Sequence, residues 1–225
     1  MFNKISVVGL GYIGLPTAAF IASKGIQVIG VDVTKHVVDT INQGKIHIVE
    51  PGLEEMVKDD VEKGFLKAYL EPQEADAFLI AVPTPFKGDN HEPNLDYIQS
   101  AATAISKVLK SGDLVILEST SPVGATEKMA NWIAQARPEL KVSGVSADTD
   151  VDIFVAHCPE RVLPGQVIRE LEENDRVIGG LNDASTERAT ALYKTFVKGE
   201  CIATNARTAE MAKLTENASR DAQIA

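Results

Sequence analysis

Six short stretches of this 225-residue chain combine residue types and spacings that can do chemistry. In the first, Gly9, Gly11 and Gly14 follow the apolar run Ile5 to Val8, within Gly9-Leu10-Gly11-Tyr12-Ile13-Gly14. A strand that enters such a turn and leaves it as a helix offers the free amides of Tyr12 and Ile13 to an anion, such as the pyrophosphate of a dinucleotide. Gly9 permits the tight turn, Gly11 lets the phosphates approach the backbone, and Gly14 lets helix pack on strand. The bland alternative is a glycine-rich turn that binds nothing. Asp32 closes the next apolar run, twenty-three positions after Gly9. A carboxylate there accepts from both hydroxyls of an adenosine ribose and repels a 2′-phosphate, so NAD is favoured over NADP, with Lys35 as the opposing signal. Asp32 can also cap the helix that follows, a compatible role.

The third and fourth stretches also follow apolar runs. Val82-Pro83-Thr84-Pro85 and Glu118-Ser119-Thr120-Ser121-Pro122-Val123-Gly124 lie where open α/β sheets bind ligands, and their hydroxyls can line a cofactor. Thr126, in the first turn of the next helix, can do the same, although ordinary turn chemistry explains Ser, Thr and Pro equally well. In His157-Cys158-Pro159-Glu160-Arg161-Val162-Leu163-Pro164-Gly165, adjacent Glu160 and Arg161 suit proton handling and anion binding, or form a plain surface ion pair. Cys158 reads as a small core residue and His157 as a satisfied structural histidine. The last stretch holds Lys213 and Asn217 one helical turn apart with Arg220 beyond them, converging on one polar ligand or solvated as ordinary helix charges.

The elements that must position these groups alternate. Strands are expected at Ile5 to Val8, Gln27 to Val31, Ala77 to Val82, Leu114 to Leu117, Ile153 to Ala156 and Arg176 to Ile178. Helices are expected at Ile13 to Ser23, Thr34 to Asn42, Leu53 to Glu62, Leu95 to Leu109, Thr126 to Ala136, Ser185 to Val197 and from Arg207 onward, with Thr208 near the cap. Continuous apolar strands are buried on both faces, so the expected fold is α/β, a Rossmann-like doubly wound parallel sheet. Arg137 to Asp150 reads as a polar surface loop. The final helix reaches Ala225 without a stop signal, which fits either a fragment of a longer protein or a frayed terminal helix.

Composition narrows the function classes. Hydrophobic residues at 44% and charged residues at 24% describe an ordinary folded chain, and a net charge of −10 disfavours nucleic acid and anionic membranes as partners. Two cysteines without ligand spacing give no zinc site and no disulfide framework, and fit a reducing, cytoplasmic location. The apolar run Ile5 to Ala22 resembles a signal peptide only superficially, because its glycines and Pro16 suit a strand-turn-helix better.

Taken in order, GLGYIGLP, the strand ending in Asp32, VPTP, ESTSPVG, CPERVLPG and KLTEN resemble the UDP-glucose/GDP-mannose dehydrogenase family over essentially the whole chain. VPTPFKGDNHEP, ESTSPVGATEKM, CPERVLPG and RTAEMAKLTEN look closest to bacterial members that oxidise UDP-N-acetyl-D-mannosamine at C6, using two NAD molecules in turn; the alternatives are a UDP-glucose or UDP-N-acetylglucosamine 6-dehydrogenase, or a non-catalytic NAD-binding fragment. The resemblance implies NAD contacts at Tyr12, Ile13, Asp32, Thr84 and Thr126, with Thr120 facing the reaction centre. It implies UDP-sugar contacts at Arg161, Val162, Asn217 and Arg220, proton transfer or oxyanion stabilisation by Lys213, and water or proton handling by Glu160. It also implies a homodimer for the full-length enzyme. Three departures accompany it. Pro164 stands where UDP-glucose dehydrogenases usually carry a second glutamate, and Ala218-Ser219 replaces a small polar residue followed by an aromatic. The family's nucleophilic cysteine lies in a Gly-Gly-His-Cys segment that does not occur here, and neither Cys158 nor Cys201 matches it. On this resemblance, residues 1–206 are the NAD-binding domain and 207–225 the start of a central dimerisation helix. The UDP-binding domain is then absent, and the chain is inactive alone.

Overall fold

The computed structural model describes residues 2–146 and 150–225. In chain order its elements are β1 (Lys4–Val8), α1 (Gly14–Ser23), β2 (Gln27–Val31), α2 (Lys35–Asn42), α3 (Leu53–Glu62), β3 (Leu66–Tyr69), β4 (Ala77–Ile80), β5 (Phe86–Lys87) and β6 (Glu92–Pro93). There follow α4 (Asp96–Ser106), β7 (Leu114–Leu117), α5 (Ala125–Ala136), β8 (Phe154–His157), α6 (Val167–Glu173), β9 (Arg176–Gly180), α7 (Asp183–Tyr193), β10 (Cys201–Asn205) and α8 (Ala206–Ile224). The main sheet runs β10-β9-β8-β7-β4-β1-β2-β3, and β5 and β6 form a small exposed hairpin.

Each central strand sends alternate side chains into two cores. Ile5, Val7, Leu79, Leu114 and Ile116 join one core with α1, α3, α6 and α7, while Val8, Phe78, Ile80, Val115 and Leu117 join the other with α4 and α5. Burial on both faces is why these strands read as unbroken apolar runs. The chain order reverses between β1 and β4, which opens a crevice above their carboxyl ends, the usual ligand position in such sheets.

The sheet departs from the all-parallel expectation at one place. β8 pairs antiparallel with β9, through Ala156 to Gly180 and His157 to Gly179, and β10 then runs parallel to β9. The eighteen residues between them hold the seven-residue α6, and β9 runs back from the end where β8 stopped. Neither α6 nor the edge strands β3 and β10 show the buried-run signal, because the edge strands have mixed exposure, with burial confined to one face or less. The segment read as a surface loop after Arg137 is partly structural. Val142 is buried and bridges Ile153, and buried Ser143 accepts from the Val155 amide; residues 147–149 of that segment lie outside the described residues.

Candidate active site

A cavity of about 350 Å³ sits over the crevice, lined by Gly9, Gly11, Tyr12, Ile13, Asp32, Val82, Thr84, Glu118, Ser119, Thr120 and Glu160 among others. It crosses the carboxyl ends of β2, β1, β4, β7 and β8 in spatial order, with Asp32 at one end and Glu160 at the other. The three motif glycines divide their work. Gly9 has φ +91°, and a Cβ there would lie 2.6 Å from the Ala81 carbonyl oxygen; at Gly14 it would lie 1.8 Å from the Gly9 carbonyl oxygen. Around Gly11 a Cβ would meet nothing within 4 Å, so the fold leaves that space for something other than protein.

Three helix starts meet near this crevice, and two are filled by the chain's own carboxylates. Glu210 accepts from the Gly124 amide (2.6 Å), the Thr126 amide (2.8 Å) and the Thr126 hydroxyl (2.7 Å) at the start of α5. Glu50 accepts from the Gly165 amide (2.9 Å) and the Val167 amide (2.8 Å) at the start of α6. By contrast α1 has no capping side chain and no acid in its first turn. Its first-turn amides carry no capping carboxylate beside the open Gly11, the arrangement that suits a pyrophosphate.

Asp32 ties both ends of its turn. Oδ2 accepts from the Leu10 amide (3.0 Å) and Oδ1 from the Thr34 amide (2.8 Å), so Asp32 lines the cavity and ties the turn before α2, whose cap position is Thr34 and not Asp32. The nearby Lys35 is paired with Asp39 at 2.6 Å. Thr84 donates its hydroxyl to the Thr120 carbonyl (2.7 Å) and Ser119 donates to the Val82 carbonyl (2.6 Å), which locks the two threonine loops together at the cavity wall. Thr126 is placed differently from the other threonines. It is fully buried, spends both donors on Glu210, and does not line the cavity.

A second cavity, of about 420 Å³, adjoins the first and includes Arg161, Val162, Asn174, Lys213, Glu216 and Arg220 in its lining. Lys213 is buried, with Nζ 3.8 Å from Glu160 Oε1 and 3.8 Å from Glu216 Oε2. Glu160 Oε2 accepts from the Val162 amide at 2.9 Å, so the carboxylate is held between its own loop and α8. Glu160 lines the first cavity and Lys213 the second, and their ion pair is the junction. Arg161 forks onto Glu216 at 3.2 Å, while Arg220 donates to Asn217 at 3.2 Å on the exposed end of α8. The structure thus gathers Arg161, Val162, Lys213 and Arg220 around the second cavity, with Glu160 at its junction with the first and Asn217 bonded to Arg220. The sequence offered no separate signal for Glu50, Glu210 or Glu216, whose distant partners lie 38 to 117, 84 to 86 and 55 positions away.

Burial shifts several other titratable groups toward their neutral forms. The Cys158 thiol is pushed up to about 12 and the Cys201 thiol is raised as well, in both cases mainly by burial. His157 is buried as expected but unsatisfied: neither ring nitrogen has a partner, and burial lowers its pKa to about 3. Glu118 accepts from the Tyr193 hydroxyl at 2.6 Å, and burial raises its carboxyl above the usual range. Among the described residues no group of three or more His, Cys, Asp or Glu could hold a metal ion.

Comparison with known proteins agrees with this geometry. The profile of the UDP-glucose/GDP-mannose dehydrogenase family, NAD binding domain, matches residues 3–197. The chain is 66% identical over 224 residues to a UDP-N-acetyl-D-mannosamine dehydrogenase of Campylobacter jejuni, a match covering 100% of the chain and 55% of that protein. It is 62% identical over 224 residues to an NDP-N-acetyl-D-galactosaminuronic acid dehydrogenase of Ralstonia nicotianae, covering 100% of the chain and 52% of that protein. The solved structure of a UDP-D-ManNAc dehydrogenase from Pyrococcus horikoshii superimposes with a TM-score of 0.89 at 42% identity, over 97% of this chain and 50% of that one. The chain therefore spans about half the length of the curated relatives it matches.

Proposed function

From the premise that the chain belongs to the UDP-glucose/GDP-mannose dehydrogenase family, as its NAD-binding domain, we propose that it serves the oxidation of the C6 hydroxyl of UDP-N-acetyl-D-mannosamine to the uronate. The observation that carries this reading is the junction: the cavity over the glycine loop and Asp32 reaches Glu160, and Glu160 meets Lys213 of the adjoining cavity at 3.8 Å. NAD, when bound, accepts the hydride that leaves C6. Tyr12 and Ile13 amides at the uncapped start of α1 hold its pyrophosphate, Asp32 its adenosine ribose, and Thr84 and Thr120 wall the far end. Lys213, fixed between two carboxylates, stabilises negative charge developing on the C6 oxygen, and Glu160 takes up or returns its proton. Arg161, Val162, Asn217 and Arg220 bind the sugar nucleotide. Thr126 serves the site by holding Glu210 at the start of α5.

In this proposal residues 1–206 are the cofactor domain, 207–225 begin the central helix of a homodimer, and the enzyme works in the cytoplasm. Among the described residues no helix is long and apolar enough to cross a membrane. The substrate rests on the relatives rather than on a contact. The Ralstonia relative, nearly as similar, favours an N-acetylgalactosamine nucleotide as the second reading, while Pro164 makes UDP-glucose the weaker candidate. Titration calorimetry with NAD and NADP tests the cofactor half. NAD is expected to bind at least about tenfold more tightly, and Asp32→Ala to erase the difference; equal affinity for the two cofactors in the unaltered chain defeats the assignment.

A further inference from the structure

Glu50 is a nearly buried carboxylate on the segment between α2 and α3, outside every motif that marks the site. It accepts three hydrogen bonds from two distant parts of the chain. The Tyr12 hydroxyl donates to Oε2 at 3.1 Å, with the Val49 carbonyl 3.4 Å away from the same hydroxyl. The Gly165 amide donates to Oε2 at 2.9 Å and the Val167 amide to Oε1 at 2.8 Å. Tyr12 belongs to the glycine loop of the first cavity, and Gly165 closes the loop that carries Glu160 to the first cavity and Arg161 and Val162 into the second.

We propose that Glu50 is a positioning residue that couples the two cavities, so that a dinucleotide seated on the glycine loop tightens the loop presenting Arg161 and Val162 to the sugar nucleotide. A bound pyrophosphate immobilises the backbone of Tyr12, whose amide faces it. That restraint passes through the tyrosine hydroxyl to a carboxylate whose other bonds end on the Gly165 and Val167 amides. Charge-assisted bonds to a carboxylate withdrawn from water are short, directional and costly to break, so the three donors move as one unit. The inference rests on the proposed NAD site, and deepens it by assigning a link between cofactor and sugar binding.

Amide hydrogen exchange at Gly165 and Val167, followed by NMR with and without saturating NAD, reads the coupling directly. Calorimetry on the same samples reports whether NAD is bound. In the unaltered chain NAD is expected to slow exchange at both amides at least about threefold. Tyr12→Phe removes the hydroxyl but leaves Glu50 on both amides, so its exchange without NAD should match the unaltered chain while the response to NAD disappears. A merely structural Glu50 would leave that response intact. Glu50→Gln should speed exchange at both amides even without NAD; should it fail to fold, Tyr12→Phe still decides the matter. NAD binding with no change at Gly165 and Val167, or an undiminished response in Tyr12→Phe, overturns the coupling alone. No NAD binding overturns both the cofactor reading and the inference built on it.

Discussion

At Gly11 a methyl group would meet nothing, whereas at Gly14 it would collide with the Gly9 carbonyl. The two positions therefore separate folding from binding. Gly11→Ala is expected to keep its unfolding free energy within about 0.5 kcal/mol, yet to lose NAD affinity at least about tenfold, because the methyl occupies the phosphate's approach. Gly14→Ala is expected to lose about 3 kcal/mol or more. Urea unfolding and calorimetry on both variants check this, and wild-type NAD affinity in Gly11→Ala would refute it. A second residue-scale expectation concerns His157. Its folded pKa of about 3 lies below the unfolded value near 6.5, so the unfolded state binds the extra proton and stability falls as pH drops through that window. Between pH 7.5 and 5 the loss from this group is about 2 kcal/mol. The raised carboxyls of Asp60 and Glu118 act in the opposite sense, being protonated earlier in the folded state, so the test is a difference. His157→Leu, which leaves no unpartnered nitrogen behind, should show a visibly shallower loss of urea stability over the same pH range; an unchanged slope counts against the assignment.

At the scale of elements, α8 carries the argument. Asn205 caps it by accepting from the Thr208 amide, three residues before the expected cap, and the helix then buries Ala206, Ala209, Glu210 and Lys213 on one face. Glu210 and Lys213 sit one turn apart, so the bond that fixes Glu210 to the start of α5 also fixes the register that delivers Lys213 to Glu160. Removing it strands two amides and a hydroxyl. Glu210→Ala is expected to cost about 3 kcal/mol in urea unfolding. In a catalytically competent full-length relative, the corresponding change should lower kcat more than it raises the KM for NAD. Wild-type stability in Glu210→Ala would show that α8 is held by its apolar face alone. The helix itself was legible from its periodicity. Its anchoring was not, because a glutamate on a helix looks the same in sequence whether it faces water or another helix's first turn.

For the molecule as a whole, the chain supplied with NAD and UDP-N-acetyl-D-mannosamine is expected to accumulate no uronate by mass spectrometry. The cysteine route that the sequence resemblance implies needs a reactive thiolate, whereas Cys158 is a buried thiol pushed up to about 12 and the Cys201 thiol is raised by burial. Among the residues lining the second cavity, Glu170, Glu173, Asp175 and Glu216 face Arg161, Lys213 and Arg220, a balance that holds a sugar better than a diphosphate. Uronate above the level of a no-enzyme control would sink this view. What the sequence determined by itself was local and periodic: apolar runs buried on both faces gave the central strands, and the glycine spacing with Asp32 gave the cofactor end of the site, because those groups act within one strand-turn-helix and its neighbour. The tertiary structure decided the rest. It set β9 antiparallel to β8, and the packing of α8 on β8, β9 and β10 brought Lys213 to Glu160 across 53 positions. The same packing set Glu210 on the amides at the start of α5, with Thr126 outside the cavity, while Glu50 met the amides of Gly165 and Val167 through separate loops. A carboxylate's partner depends on which loops meet after folding, and no spacing along the chain encodes that meeting.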